Sequence, residues 1–188
     1  MWSPDRRNVL ALMWRSAAVL SATGLLAGCF QPLYADKTID GGPGVRYALN
    51  SVKVNQIVAK RGSPEERLAV EVRNALLFEL TGGSGTNSPT HELTMRLAVD
   101  RNSVIVDLTS QRPDVENVGL DVQYTLKDLA TGKDVIKTTT FARVSYDIPG
   151  AEQRFARIRG LRDAENRAAK VIAENIRNRL ASYFVAGG

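Results

Sequence analysis

Apolar and polar positions alternate most sharply in the middle of the chain. Leu93, Met95, Leu97 and Val99 alternate with Glu92, Thr94, Arg96 and Asp100, the two-residue period of a half-buried strand. Residues 100–103 are expected to shift the register by a bulge or turn, because the apolar set then moves to Val104, Val106 and Leu108. After a loop around Pro113, Val118, Leu120, Val122, Tyr124 and Leu126 again alternate strictly. Ala130-Thr131-Gly132-Lys133 reads as a hairpin turn, and residues 136–146 as the returning strand. A further strand is predicted over 45–58, with Val52 and Val54 set against Lys53 and Asn55.

Two segments carry the longer helical period. Ser63-Pro64-Glu65-Glu66 has the form of a helix start, with a capping residue, a proline suited to the first turn and a glutamate completing a capping box. Leu68, Val72, Leu76 and Leu80 then share one face, and Gly82-Gly83 ends the run. Beyond Pro149-Gly150, Leu161, Ala164, Ala168, Ile172, Ile176, Leu180 and Phe184 recur at steps of three and four, with Asp163 and Arg167 placed to pair. Gly160 is expected to break this pattern, leaving a helix about 36 Å long at about 1.5 Å per residue. The order is β-α-β-β-β-α. Strands with one apolar face and two amphipathic helices cover each other as an α+β two-layer sandwich, an antiparallel or mixed sheet of about four strands on two helices.

Composition agrees with a folded domain: 44% of the 188 residues are hydrophobic and 24% charged. A chain of this length buries a real core without disulfides. The formal charge of +5 is unevenly placed. From Glu152 onward eight Lys/Arg stand against four acids, so the last helix carries most of the surplus. Such a segment suits an anionic partner or a solvated helix face in equal measure.

The first 28 residues have another character. Arg6, Arg7 and Arg15 precede an apolar run, residues 17–26, in the order of a secretory signal. Arg15 leaves this run too short for the roughly 20 residues that cross a bilayer. It ends in Leu26-Ala27-Gly28-Cys29, which resembles the lipobox of bacterial lipoproteins. Small residues fit the peptidase groove, and only a thiol supplies the nucleophilic sulfur for the diacylglyceryl thioether. Cys29 is the chain's single cysteine. The expected organisation is a cleaved signal peptide over 1–28, a Gly/Pro-containing tether over 29–44 and one domain over 45–188. Diacylglycerol and an N-acyl chain on Cys29 would be the only covalent additions, and together they make a lasting membrane tether. Phe30, rather than an aspartate, after the cysteine favours the outer membrane.

No catalytic constellation is apparent. His91 is the single histidine, and Met95 stands where the second ligand of a zinc-protease helix would be. Gly82-Gly83-Ser84-Gly85-Thr86 lacks the last glycine of a nucleophile elbow. Gly41-Gly42-Pro43-Gly44 lacks the lysine of a phosphate loop. The sequence reads as a non-enzyme with no cofactor and no metal. Export also removes nucleic acid as a partner.

The run Cys29-Phe30-Gln31-Pro32-Leu33-Tyr34, the element order and the Arg/Ala-rich last helix resemble the lipopolysaccharide-assembly lipoproteins of the LptE family, in their alphaproteobacterial form. The resemblance implies a plug and assembly partner of the outer-membrane barrel LptD, working in lipopolysaccharide transport. The alternative is an auxiliary periplasmic lipoprotein of an ABC-type exporter. Lipopolysaccharide carries phosphates and carboxylates, and Arg96, Lys127, Lys133, Lys137 and Arg143 are the candidate contacts, on strands or the hairpin turn.

Overall fold

Gly44 opens the first element of the structure, a computed structural model that describes residues 44–83, 88–106, 113–148 and 154–186. Where a strand was expected over 45–58, the chain instead forms a short helix, α1 (Val45–Asn50). Val45 and Leu49, four apart, both turn into the core while Tyr47 between them is exposed, a pattern that fits a helix and not a strand. Ser51 closes it, its hydroxyl donating to the Ala48 carbonyl at 2.7 Å. The expected strand shrinks to β1 (Val52–Val54), with both valines buried and Lys53 outward.

Helix α2 (Pro64–Thr81) starts and ends where the sequence indicates. The capping box is displaced. Ser63 makes no side-chain capping bond, and Glu66 accepts the N–H of Gly62 at 2.7 Å. Gly82 takes the left-handed conformation at φ 65° and donates its N–H to Phe78 at 2.8 Å, a glycine-terminated helix end.

The sheet has the order β1-β2-β3-β4, built with β2 (His91–Val106), β3 (Pro113–Asp128) and β4 (Asp134–Asp147). β1 runs parallel to β2 and the other pairs are antiparallel, so the sheet is mixed. The register shift expected at 100–103 falls later, between Ser103 and Ile105. Asp100 and Asn102 stay in the ladder, opposite Gly119 and Asn117, because their side of the sheet carries no helix and accepts polar side chains. Pro113, expected in a loop, opens β3, the strand position where its missing N–H matters least.

Both long helices pack on the other side. Leu93, Met95, Leu120, Val122, Tyr124 and Leu126 of the sheet meet Leu68, Val72, Leu76 and Leu80 of α2 and Ile172, Ile176 and Leu180 of α3 (Arg154–Val185) in one buried cluster. Ala168, Ala169, Ala173 and Ala181 bring α3 close to its neighbours. Contrary to the expected break, α3 passes through Gly160 as a single helix of 32 residues, about 48 Å long. A smaller cluster of Val118, Tyr146 and Ala164 continues the core toward the start of α3. There Glu165, nearly buried, is held by Arg67 of α2 and Arg101 of β2, so one carboxylate ties three elements together.

Candidate functional site

Among the described residues the helices all lie on one face, and the opposite face of the sheet is bare. Strand parity decides what stands on it. Lys53, Glu92 and Lys127 form one row across β1, β2 and β3. Next come Thr94, Thr125 and Lys137, then Arg96, Gln123 and Thr139. Further along lie Ala98, Asp121 and Phe141, and then Asp100, Gly119 and Arg143.

The two ends of this face differ in electrostatics. At one end Arg143 is bound to Asp121 at 2.9 Å and lies 3.7 Å from Asp100, while also donating to the Ala142 carbonyl at 3.2 Å. Its guanidinium stands over the exposed Phe141 ring at 5.8 Å. Two carboxylates already neutralise it. Arg143, one of the expected lipopolysaccharide contacts, is thus also a cross-strand tie.

The other end is rich in cations. Arg96 and Lys137 are exposed and, among the described residues, make no ion pair. They stand two strands and one row apart, about 12 Å at ordinary strand spacing and rise, with Gln123 and Thr125 between them. Lys127 lies opposite Glu92, whose carboxylate is bound to Lys53 at 3.1 Å. Hydrogen bonds from Lys53 and Asn55 hold the Glu92 carboxyl below its usual range. Lys133 sits in the β3–β4 turn, which Asp128 fixes by accepting the Ala130 N–H at 2.7 Å and the Thr131 hydroxyl at 3.0 Å. These bonds lower the Asp128 carboxyl as well. Four of the five expected contacts thus converge on one end of the bare face. The threonines and Gln123 that line the space between them were not singled out in the sequence, although the same alternation places them there. Cys29 and the Leu26, Ala27 and Gly28 that precede it lie outside the described residues.

What the arrangement offers is anion binding. Guanidinium and ammonium groups beside hydroxyl and amide side chains donate charge-assisted hydrogen bonds to phosphate or carboxylate. An open groove of about 560 Å³ between α2 and α3, around Ala75, Phe78, Glu79, Ala169 and Lys170, is a weaker candidate. Two of its charges are already paired: Glu79 with Arg177 at 2.5 Å and Arg167 with Asp163 at 2.8 Å. Among the described residues no three His, Cys, Asp or Glu side chains are grouped to hold a metal, and no helix is long and apolar enough to cross a membrane.

The family model for LptE, described as lipopolysaccharide-assembly, matches residues 49–180, from within α1 to the last turns of α3. The chain belongs to the LptE family. Its membership makes it a lipopolysaccharide-assembly lipoprotein of the cell envelope, in a family whose role is not enzymatic. Solved structures agree with the fold. A lipoprotein from Caulobacter crescentus CB15 is similar at 27% identity and TM-score 0.57, over 77% of this chain and 97% of that one. The rare lipoprotein B from Shewanella oneidensis is similar at 14% identity and TM-score 0.50, over 72% of this chain and 96% of the other. No curated protein matches the chain by sequence. The LptE assignment turns attention to the cationic end of the bare sheet face.

Proposed function

We propose that this protein is an outer-membrane lipoprotein, acylated on Cys29, that plugs the LptD barrel and receives lipopolysaccharide on the bare face of its sheet. The observation that carries the reading is the pair Arg96 and Lys137, exposed cations that make no ion pair among the described residues and stand in a field of threonine and glutamine. Lys127 and Lys133 extend the same positive end. A large barrel has a polar, water-facing interior, and a plug with one largely polar sheet face suits such a lumen. The family's role in lipopolysaccharide assembly supplies an anionic ligand of matching chemistry.

Reversing both charges, R96E with K137E, tests the ligand site. The expected result is lipopolysaccharide binding that weakens at least tenfold at low salt, with an unchanged circular dichroism spectrum. Unchanged binding would refute the contact. Mass analysis of the mature chain tests the anchor: a thioether diacylglyceryl group and an N-acyl chain on Cys29 are expected, and an unmodified thiol rules them out. Co-purification with a barrel of much larger mass after gentle detergent extraction tests the partner.

A further inference from the structure

The first turns of α3 break a rule that α2 obeys. A helix N-terminus is electropositive, so acidic residues belong there, and α2 begins with Glu65 and Glu66. α3 has no acidic residue in its first turn, and Arg157, Arg159 and Arg162 follow within nine residues of its start. That placement runs against the helix dipole, although Arg157 gains an ion pair with Glu116. Local conflicts of this kind mark functional positions.

This segment also overhangs the body. Every residue from 155 to 159 is exposed; Arg157 reaches the sheet through its ion pair with Glu116, and Gly160 lies beside Tyr146. Phe155 is 79% exposed and Ile158 43%. Phe155, Ile158, Arg159 and Arg162 follow the spacing i, i+3, i+4, i+7 and so share one helix face. Ala164 and Ala168 line the face turned to the core. Two nearby carboxylates are already engaged: Asp163 binds Arg167 at 2.8 Å, and Glu116 binds Arg157 at 3.2 Å and the Tyr146 hydroxyl; the exposed Asp147 lies beside Gly160. Among the described residues Arg159 and Arg162 have no ion-pair partner.

We propose that this overhang docks on an anionic phospholipid surface, with Phe155 and Ile158 entering the acyl boundary while Arg159 and Arg162 meet lipid phosphates. An aromatic and an aliphatic side chain flanked by arginines on one helix face is the composition of an interfacial contact, where the cationic heads stay at headgroup level. A free phosphate would leave the apolar pair without a role. Two apolar residues are also too small a core for a stable protein interface. The overhang adds a second, electrostatic contact to whatever tether the chain carries, and one acyl chain with a basic patch holds a membrane better than either alone.

The test is F155W in the mature protein, purified from membranes and added to vesicles. Trp2 and Trp14 lie in the expected leader, and the spectrum of the parent protein is subtracted in any case. With equal parts of phosphatidylcholine and phosphatidylglycerol, the emission should shift to the blue, be quenched by acyl-brominated lipid, and return toward its free position in high salt. Phosphatidylcholine alone should leave it unmoved, as should R159E with R162E in a protein whose circular dichroism is unchanged. If that double variant fails to fold, the salt reversal carries the charge test by itself. An equal shift in zwitterionic vesicles, no shift in anionic ones, or a shift seen only with lipopolysaccharide or a barrel protein would each overturn the proposal. The Cys29 reading fails separately: without acyl chains the protein no longer floats with zwitterionic vesicles, whatever Phe155 does.

Discussion

The ring of His91, at the first residue of β2, stands edge-on to the ring of Phe184 near the end of α3, with 5.1 Å between centroids and 78° between planes. Tyr183 makes a similar contact at 6.3 Å. One imidazole therefore fastens the start of a central strand to the last turn of the longest helix. Its Nδ1 lies 2.8 Å from the Thr90 hydroxyl.

Burial holds the His91 imidazole below its ordinary value of 6.5, with Asp128 acting in the opposite sense. A depressed folded pKa stabilises the fold above the unfolded value, and that stability is lost as pH falls through the folded one. We expect the melting temperature to be flat between about pH 7 and 8 and to decline from about pH 6.5 downward. H91N should flatten the decline above about pH 5, below which the depressed carboxyls of Glu92 and Asp128 add their own losses. A melting curve with the same slope in both proteins would contradict this.

Glu165 offers a test of the tie between α2, β2 and α3. E165Q removes the charge shared by Arg67 and Arg101 but keeps the volume. Removing one partner of a fully buried pair costs about 3–5 kcal/mol, and because both arginines reach water here we expect about 2 kcal/mol. Urea denaturation measures it. A change below about 0.5 kcal/mol would show that solvent already screens the cluster.

Gly119 lies between Asp100 and Arg143 in the ladder of the bare face. A Cβ built there would collide with the Asp100 carboxylate. The missing side chain is what lets Asp100 lie across β3 toward the guanidinium. G119A should therefore destabilise by about 1–3 kcal/mol, the usual range for forcing atoms into an occupied site. In a D100A background the same substitution should cost much less. Equal costs in the two backgrounds would mean that the conflict lies elsewhere.

Tyr124 and Tyr146 provide an alkaline counterpart. Burial raises both phenols above the ordinary value of 10, and the Glu116 carboxylate adds to the effect at Tyr146. A raised folded pKa stabilises below the unfolded value and is lost as pH climbs through the folded one. Stability should thus begin to fall above about pH 10, less steeply in Y146F. In a difference-absorbance titration these two phenols should ionise above the ordinary tyrosine range.

Much of this architecture was legible because alternation over five or more residues is hard to mistake. Leu93, Met95, Val118, Leu120, Val122, Tyr124 and Leu126 all face inward as their spacing requires. α1 was missed because six residues give little more than one helical repeat, and the β-branched Val52 and Val54 just beyond it pull the reading toward strand. Gly160 looked like a stop, since glycine costs about 1 kcal/mol inside a helix. The packing of the surrounding turns against Tyr146 and Val118 absorbs that cost. The bare face and its candidate cations follow from strand parity alone. The cross-strand pairing of Arg143 does not, because its partners Asp121 and Asp100 lie 22 and 43 positions away and meet it only once the register is known.

The sixteen residues of β2, and the sixteen of β3 beside it, act as a ruler. At about 3.3 Å per residue each spans roughly 53 Å, well beyond the roughly 30 Å hydrocarbon thickness of a bilayer. A pore that houses this sheet lengthwise encloses only part of it. Either the turn bearing Lys133 or the opposite rim must then stand clear of the membrane, where it meets whatever arrives from that side.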